Sequence, residues 1–181
     1  ERGGNAFDAA TAAAFVLHVV EPHLNGPGGD MTGIFSAASD PGHPVVMNGQ
    51  GHAPAAASIE HYRRLGLTLV PGAGALAAAV PAAADAWLKL LEERGSWELA
   101  DVLEYAIGYA EAGHPILPGV SATIAGVKEL FTRHWPTSAA LWMPGGTVPN
   151  SGTIMRNPEY ARVLRELIDA ARCASTRAGR I

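Results

Sequence analysis

The chain has 181 residues, 48% of them hydrophobic, with 13 basic and 17 acidic side chains and a formal charge of −4. That is enough apolar material for one sizeable core, and charges spread without long runs of either sign exclude the electrostatic footprint of a nucleic-acid or anionic-membrane binder. The apolar stretch 9–20 falls short of the roughly 20 residues that cross a bilayer, so no membrane span is expected.

The segment NAFDAATAAAFVLHVVEP is predicted as a helix with Asn5 as N-cap, Asp8 at the positive end and Pro22 as the stop. Its small apolar face is expected to be Ala9, Ala12, Ala13, Val16, Val19 and Val20, suited to lying flat on a sheet. The next run, NGPGGD at 25–30, has the composition of a tight turn. Two short strands are expected at Met31 to Ala37 and Pro44 to Gly49, joined by the turn SDPGH. Ser58 caps a short helix that stops at Gly66, and the stretch Pro71 to Ala79 has no clear pattern.

Pro81 is expected to open a helix through Glu93, with Gly95 past its end. A further helix, about 98–112, carries Leu99, Val102, Leu103, Ala106, Ile107 and Ala110 on one face and ends at Gly113. Two more are predicted, at about 121–134 and at 158–172, the latter with Asn157 as cap and Pro158 first. Between them 135–153 reads as a loop rich in Pro, Gly and Ser. Five or six helices against two strands leave the sheet incomplete, because a pair of strands is marginal alone.

In order, GGNAFDAATAAAFVLHVVEPHLNGPGGD, NGQGHAP, VPAAADAWLKLLEERG, LEYAIGYAEAGHPI and NPEYARVLRELIDAAR resemble the large-subunit region of the gamma-glutamyltransferase family, over nearly the whole chain. The resemblance implies an α+β fold, here a mostly helical fragment of the four-layer αββα sandwich of N-terminal-nucleophile hydrolases. It also implies a precursor that cuts itself, releasing a small subunit whose N-terminal Thr attacks an amide carbonyl with its own amine as base. Glu1 has neither hydroxyl nor thiol to serve in that way, so no catalytic residue is assigned. Residues 1–181 are accordingly expected to be a partial large-subunit domain, incomplete at both ends, whose partner is the remaining small-subunit portion of the precursor. A small amide or γ-glutamyl-type substrate is implied. With no starting Met or leader in the sequence, the true N-terminus is expected upstream and the compartment is not legible.

The candidate pocket residues follow from the same resemblance: Asn25, Gly28, Gly29 and Asp30 in the Gly-rich turn, and Gln50 and His52 in GQGHAP. Relatives active on γ-glutamyl groups commonly read Gly-Arg-Glu-x-Ala-Pro there, the Arg gripping the α-carboxylate. Gln50 has neither the charge nor the two-pronged geometry of guanidinium. Hydrogen bonds to charged groups contribute roughly 1.5 to 3 kcal/mol, so that substrate is expected to bind on the order of tenfold to a hundredfold more weakly. A solvated-turn role for Gln50 is the bland alternative. NGPGGD lacks the Lys and Ser/Thr of a P-loop and follows a helix, which leaves a structural turn or an acyl-pocket wall.

Other chemistry is thin. The seven histidines show no metal-ligand spacing and read as surface or capping residues apart from His52, so no cofactor or metal is expected. No GxSxG elbow occurs. Glu92 and Glu93 read as a solvated helix end, and Trp87, Trp97, Trp135 and Trp142 as core or subunit-contact residues. Cys173 cannot form an internal disulfide and is expected as a buried packing residue. A piece of a layered sandwich should expose an apolar face, so self-association is expected. The competing class is a non-catalytic paralogue or interaction module on the same scaffold.

Overall fold

The computed structural model describes residues 3–181, so the expectations placed on Glu1 and Arg2 lie outside the described residues. In chain order the elements are α1 (Ala6–Val20), β1 (Thr32–Ala37), β2 (Asp40–Asn48), α2 (Ile59–Arg64), α3 (Ala83–Arg94), α4 (Leu99–Ala112), β3 (His114–Pro115), α5 (Pro118–His134), α6 (Pro136–Trp142), β4 (Ile154–Met155) and α7 (Pro158–Arg172). Short 3-10 turns occur at Ala75–Ala77, Pro144–Gly146 and Ala178–Arg180. The chain divides into a helical unit, Glu1–Gly26 with Trp87–Ile181, and a hairpin unit, Pro27–Ala86, the boundary falling inside α3.

In the helical unit α4 is the central element, flanked by α1 and α7. Its buried residues are Leu99, Val102, Leu103, Ala106, Ile107 and Ala110, the face its 3.6-residue periodicity predicts. They join Phe15, Val19, Leu91, Ala161 and Leu164 in one cluster. Each large side chain there contributes about 1.5–3 kcal/mol by leaving water. A second cluster, Ile116, Val120, Ile124, Met143 and Met155, lies under α5, α6 and the two-residue β3–β4 pairing. Trp87 and Trp97 pack on the first cluster and Trp142 on the second, while Trp135 meets the Phe131 ring at 5.8 Å.

Three expectations are corrected in this unit. Segment 135–153 is not all loop, because Pro136 opens α6. In α1 the buried side chains are Asp8, Thr11, Ala14, Phe15, His18 and Val19, whereas Ala9 and Ala13 are exposed. The helix is rolled so that Asp8 meets Ser96 and Trp97 and His18 meets Tyr160, while the buried Thr11 hydroxyl has no hydrogen-bond partner. Cys173 is exposed, because it is the C-cap of α7 on the solvent side.

In the hairpin unit β1 and β2 pair antiparallel from Thr32↔Asn48 to Ala37↔Asp40, with a register shift between Phe35 and Ala37. The connection is the two-residue turn Ala38–Ser39, and Asp40, Pro41 and Gly42, expected in the turn, lie in β2. Pro41 is tolerated there because this sheet has two strands and therefore only edges. Ser58 caps α2, its hydroxyl accepting from the His61 N–H at 3.2 Å. Among the described residues no helix is long and apolar enough to cross a membrane.

Candidate functional site

The residues singled out in the hairpin unit meet at the open end of β1–β2. Beyond the Thr32–Asn48 pair the ladder continues for one more step, where Met31 N–H donates to Gly49 O at 3.2 Å and Gly49 N–H returns to Met31 O at 2.6 Å. Continuing that register sets Asp30 beside Gln50, and Gln50 Nε2 donates to Asp30 Oδ2 at 3.3 Å. The Gln50 N–H also donates to Asn48 Oδ1 at 3.0 Å. Both Asp30 and Gln50 are exposed.

The backbone on either side is fixed by the start of α3. A helix leaves its first N–H groups without intrahelical partners. Here Gly29 O accepts from Ala82 and Ala83 N–H at 3.4 and 3.1 Å, and Pro27 O accepts from Ala84 N–H at 3.2 Å. The Gly-rich turn thus caps α3 with carbonyls. On the other side, Val80 N–H donates to His52 O at 2.9 Å, and a Cβ built at Gly51 would overlap the Val80 carbonyl. Glycine at 51 is a steric requirement, so the Glu of the family motif has no room in this loop. By contrast Gly28 has open space where a Cβ would point and no positive φ, so nothing within the described chain requires glycine there.

His52 contributes its carbonyl to this arrangement while its residue is exposed. Asn25 belongs to the helical unit, where its N–H donates to Glu21 O at 3.1 Å just past α1.

The heaviest investment in polar contacts lies elsewhere, and sequence reasoning missed it. Asp8, 2% exposed, accepts at Oδ1 from Ser96 N–H (2.8 Å) and Trp97 N–H (3.0 Å), and at Oδ2 from Asn5 N–H (2.7 Å) and the Ser96 hydroxyl (2.7 Å). Burial by itself raises the Asp8 pKa, but these hydrogen bonds outweigh it and hold the carboxyl below its ordinary value. Asn5 completes the tie by donating from Nδ2 to Arg94 O at 2.9 Å. Arg177 donates to the carbonyls of Leu91, Glu92 and Trp97 at 3.1, 2.8 and 2.9 Å, where the negative end of α3 favours a cation. The capping-box spacing of Asn5 and Asp8 was the available signal; the reach to Ser96 and Trp97, 88 and 89 residues away, has no local signature.

Two histidines expected at the surface are buried. His18 is held between the Phe15 ring at 5.3 Å and Tyr160 Oη, 3.3 Å from its Nδ1, and burial lowers its pKa. Burial likewise raises the Tyr160 hydroxyl to about 12 and lowers His114, whose Nδ1 has no hydrogen-bond partner. Among the described residues no group of three or more His, Cys, Asp or Glu side chains gathers as a metal ligand set.

The mixed α+β arrangement is that of solved gamma-glutamyltranspeptidase and acylase structures, and the chain is a portion of that N-terminal-nucleophile hydrolase fold. The Gamma-glutamyltranspeptidase family model matches residues 1–174, and the chain belongs to that family. An oxamate amidohydrolase proenzyme of Klebsiella pneumoniae is 34% identical over 172 residues, covering 91% of this chain and 31% of the relative. Among solved structures, LmbA2991HD is 51% identical with a TM-score of 0.92, over 98% of this chain and 30% of that one. A cephalosporin acylase from Bacillus halodurans is 33% identical with a TM-score of 0.83, over 91% and 31%. The chain therefore spans about a third of the length of the relatives it matches.

Proposed function

We propose that the whole protein is an amide hydrolase or acyltransferase whose nucleophile is an N-terminal Thr in the remaining small-subunit portion of its precursor. In that reading the described hairpin unit supplies one wall of the acyl pocket through Gly28, Gly29, Asp30, Gln50 and His52. Its acyl specificity departs from γ-glutamyl groups. The chemistry is that of an N-terminal nucleophile: the Thr hydroxyl attacks the amide carbonyl, its own amine takes the proton, and the leaving amine departs before water or an acceptor releases the acyl group.

The observation that supports the specificity reading is the tie of Gln50 to Asp30 at 3.3 Å, at the place where the resemblance to the family motif puts an Arg. An amide there offers no fork for a carboxylate. Relatives at similar identity are named for different amides, an oxamate amidohydrolase at 34%, a cephalosporin acylase at 33% and a glutathione hydrolase-like proenzyme of Bacillus subtilis at 33%. Family membership alone therefore leaves the acyl group open, and Gln50 is the residue that narrows it. Gly28 supports the same reading, because a glycine that neither φ nor neighbouring atoms demand fits a backbone that a substrate approaches closely.

The test is the intact mass of the protein expressed from its complete gene, beside a variant with the processing Thr replaced by Ala, followed by an amide-substrate screen. Two fragments that become one uncut chain in the variant, with amide turnover only in the processed protein, are the expected result. One uncut chain in both samples contradicts the proposal and favours a non-catalytic scaffold.

A further inference from the structure

We infer that Asp30 is a charge gate on acyl specificity, which disfavours acyl groups bearing a carboxylate beside Gln50 and admits those that are neutral or carry only an amine there. The inference rests on the proposed role of Gln50 and names the substrate class of that same site. The antiparallel register sets Asp30 and Gln50 side by side, joined by the 3.3 Å hydrogen bond from Nε2 to Oδ2. A substrate group hydrogen-bonded to the Gln50 amide lies within roughly 5 Å of the Asp30 charge. Two like charges at that distance repel by an amount equal to about fourfold in binding in bulk water and roughly two- to three-hundredfold at an effective dielectric of about 20. The same geometry welcomes an ammonium group.

The pairing also changes what an Arg at position 50 does. A guanidinium beside a carboxylate forms a charge-assisted pair in preference to waiting for substrate, so Asp30 neutralises the group that the family motif uses to grip a carboxylate. Position 51 offers no alternative anchor, since a Cβ built at Gly51 would overlap the Val80 carbonyl. Asp30 and Gln50 must therefore change together for carboxylate recognition to return.

The experiment compares the whole self-processed protein with Gln50→Arg, Asp30→Asn and the double variant. Each is assayed with γ-glutamyl anilide and with 4-aminobutanoyl anilide, which keeps the amine and lacks the α-carboxylate. Expected is a ratio of kcat/KM values, first substrate over second, that moves less than about threefold in Gln50→Arg but tenfold or more in the double variant, beyond the product of the single effects. Added salt should raise that ratio in the wild type by screening, and Asp30→Asn should lose the dependence. Full gain from Gln50→Arg alone overturns the gate while leaving the Gln50 reading intact. No change in any correctly processed variant, with no salt effect in the wild type, overturns both. If Asp30→Asn is not processed, the wild-type salt dependence decides the matter by itself.

Discussion

The helical unit and the hairpin unit obey different rules of stability. Among the described residues, the buried apolar core is almost entirely helical-unit material, from Phe15 and Val19 through Leu91 and Val102 to Leu164, while the hairpin unit contributes only Ala83 and Ala86. The hairpin unit instead exposes Ile34 (71%), Val46 (72%), Ile59 (66%) and Leu69 (81%). One unit closes its own core; the other is held mainly by backbone pairing and leaves large apolar side chains exposed. Two strands whose one face is only partly covered are marginal. The proposed pocket wall is built on that second unit, so its geometry is expected to depend on the remaining portion of the precursor.

The largest expected effects break the helical unit. Asp8→Ala removes an acceptor of four hydrogen bonds and strands their donors, and should cost about 3–5 kcal/mol in urea denaturation. Leu103→Ala, at a fully buried site, should cost about 2–5 kcal/mol. Ile34→Ser, by contrast, is expected to change the stability of the isolated chain by less than about 0.5 kcal/mol while reducing its self-association in light scattering. An equal loss from Ile34→Ser and Leu103→Ala would erase the distinction between the units.

Acid should sharpen it. The pKa values of His18 and His114 are lowered on folding, so the unfolded chain binds more protons below about pH 6.5, and stability falls from there down to the folded values and then levels. Asp8 is also lowered. Its contribution is present above the unfolded carboxylate value near 4 and is lost as pH falls through the folded one. Thermal melts from pH 8 to 3 should show both phases, with Asp8→Asn reducing the second. Within the helical unit the smallest expected loss is that of Tyr160→Phe, which removes the 3.3 Å contact to His18 and should cost about 1 kcal/mol.

How much was legible in the sequence follows the same division. Helix α4 was readable down to its six buried positions because tertiary packing agreed with local periodicity, and Ser58, Asn157 and Gly113 marked helix ends by chemistry that acts within a few residues. The roll of α1 was not readable, since it is decided by Ser96 and Trp97 far along the chain. Pro136 reads as part of a loop because the surrounding Pro and Gly mask a seven-residue helix. At the candidate site the Gly-rich turn and GQGHAP were visible as motifs, but the Asp30–Gln50 pairing needed the hairpin register, which no local pattern specifies.

The most direct test of this division is amide hydrogen exchange on the isolated chain and on the whole processed protein. Strong protection of α4 and α7 in both, with 32–48 protected only in the whole protein, is the predicted result. Equal protection of the hairpin in the isolated chain would contradict it and show that the proposed pocket wall stands without the rest of the precursor.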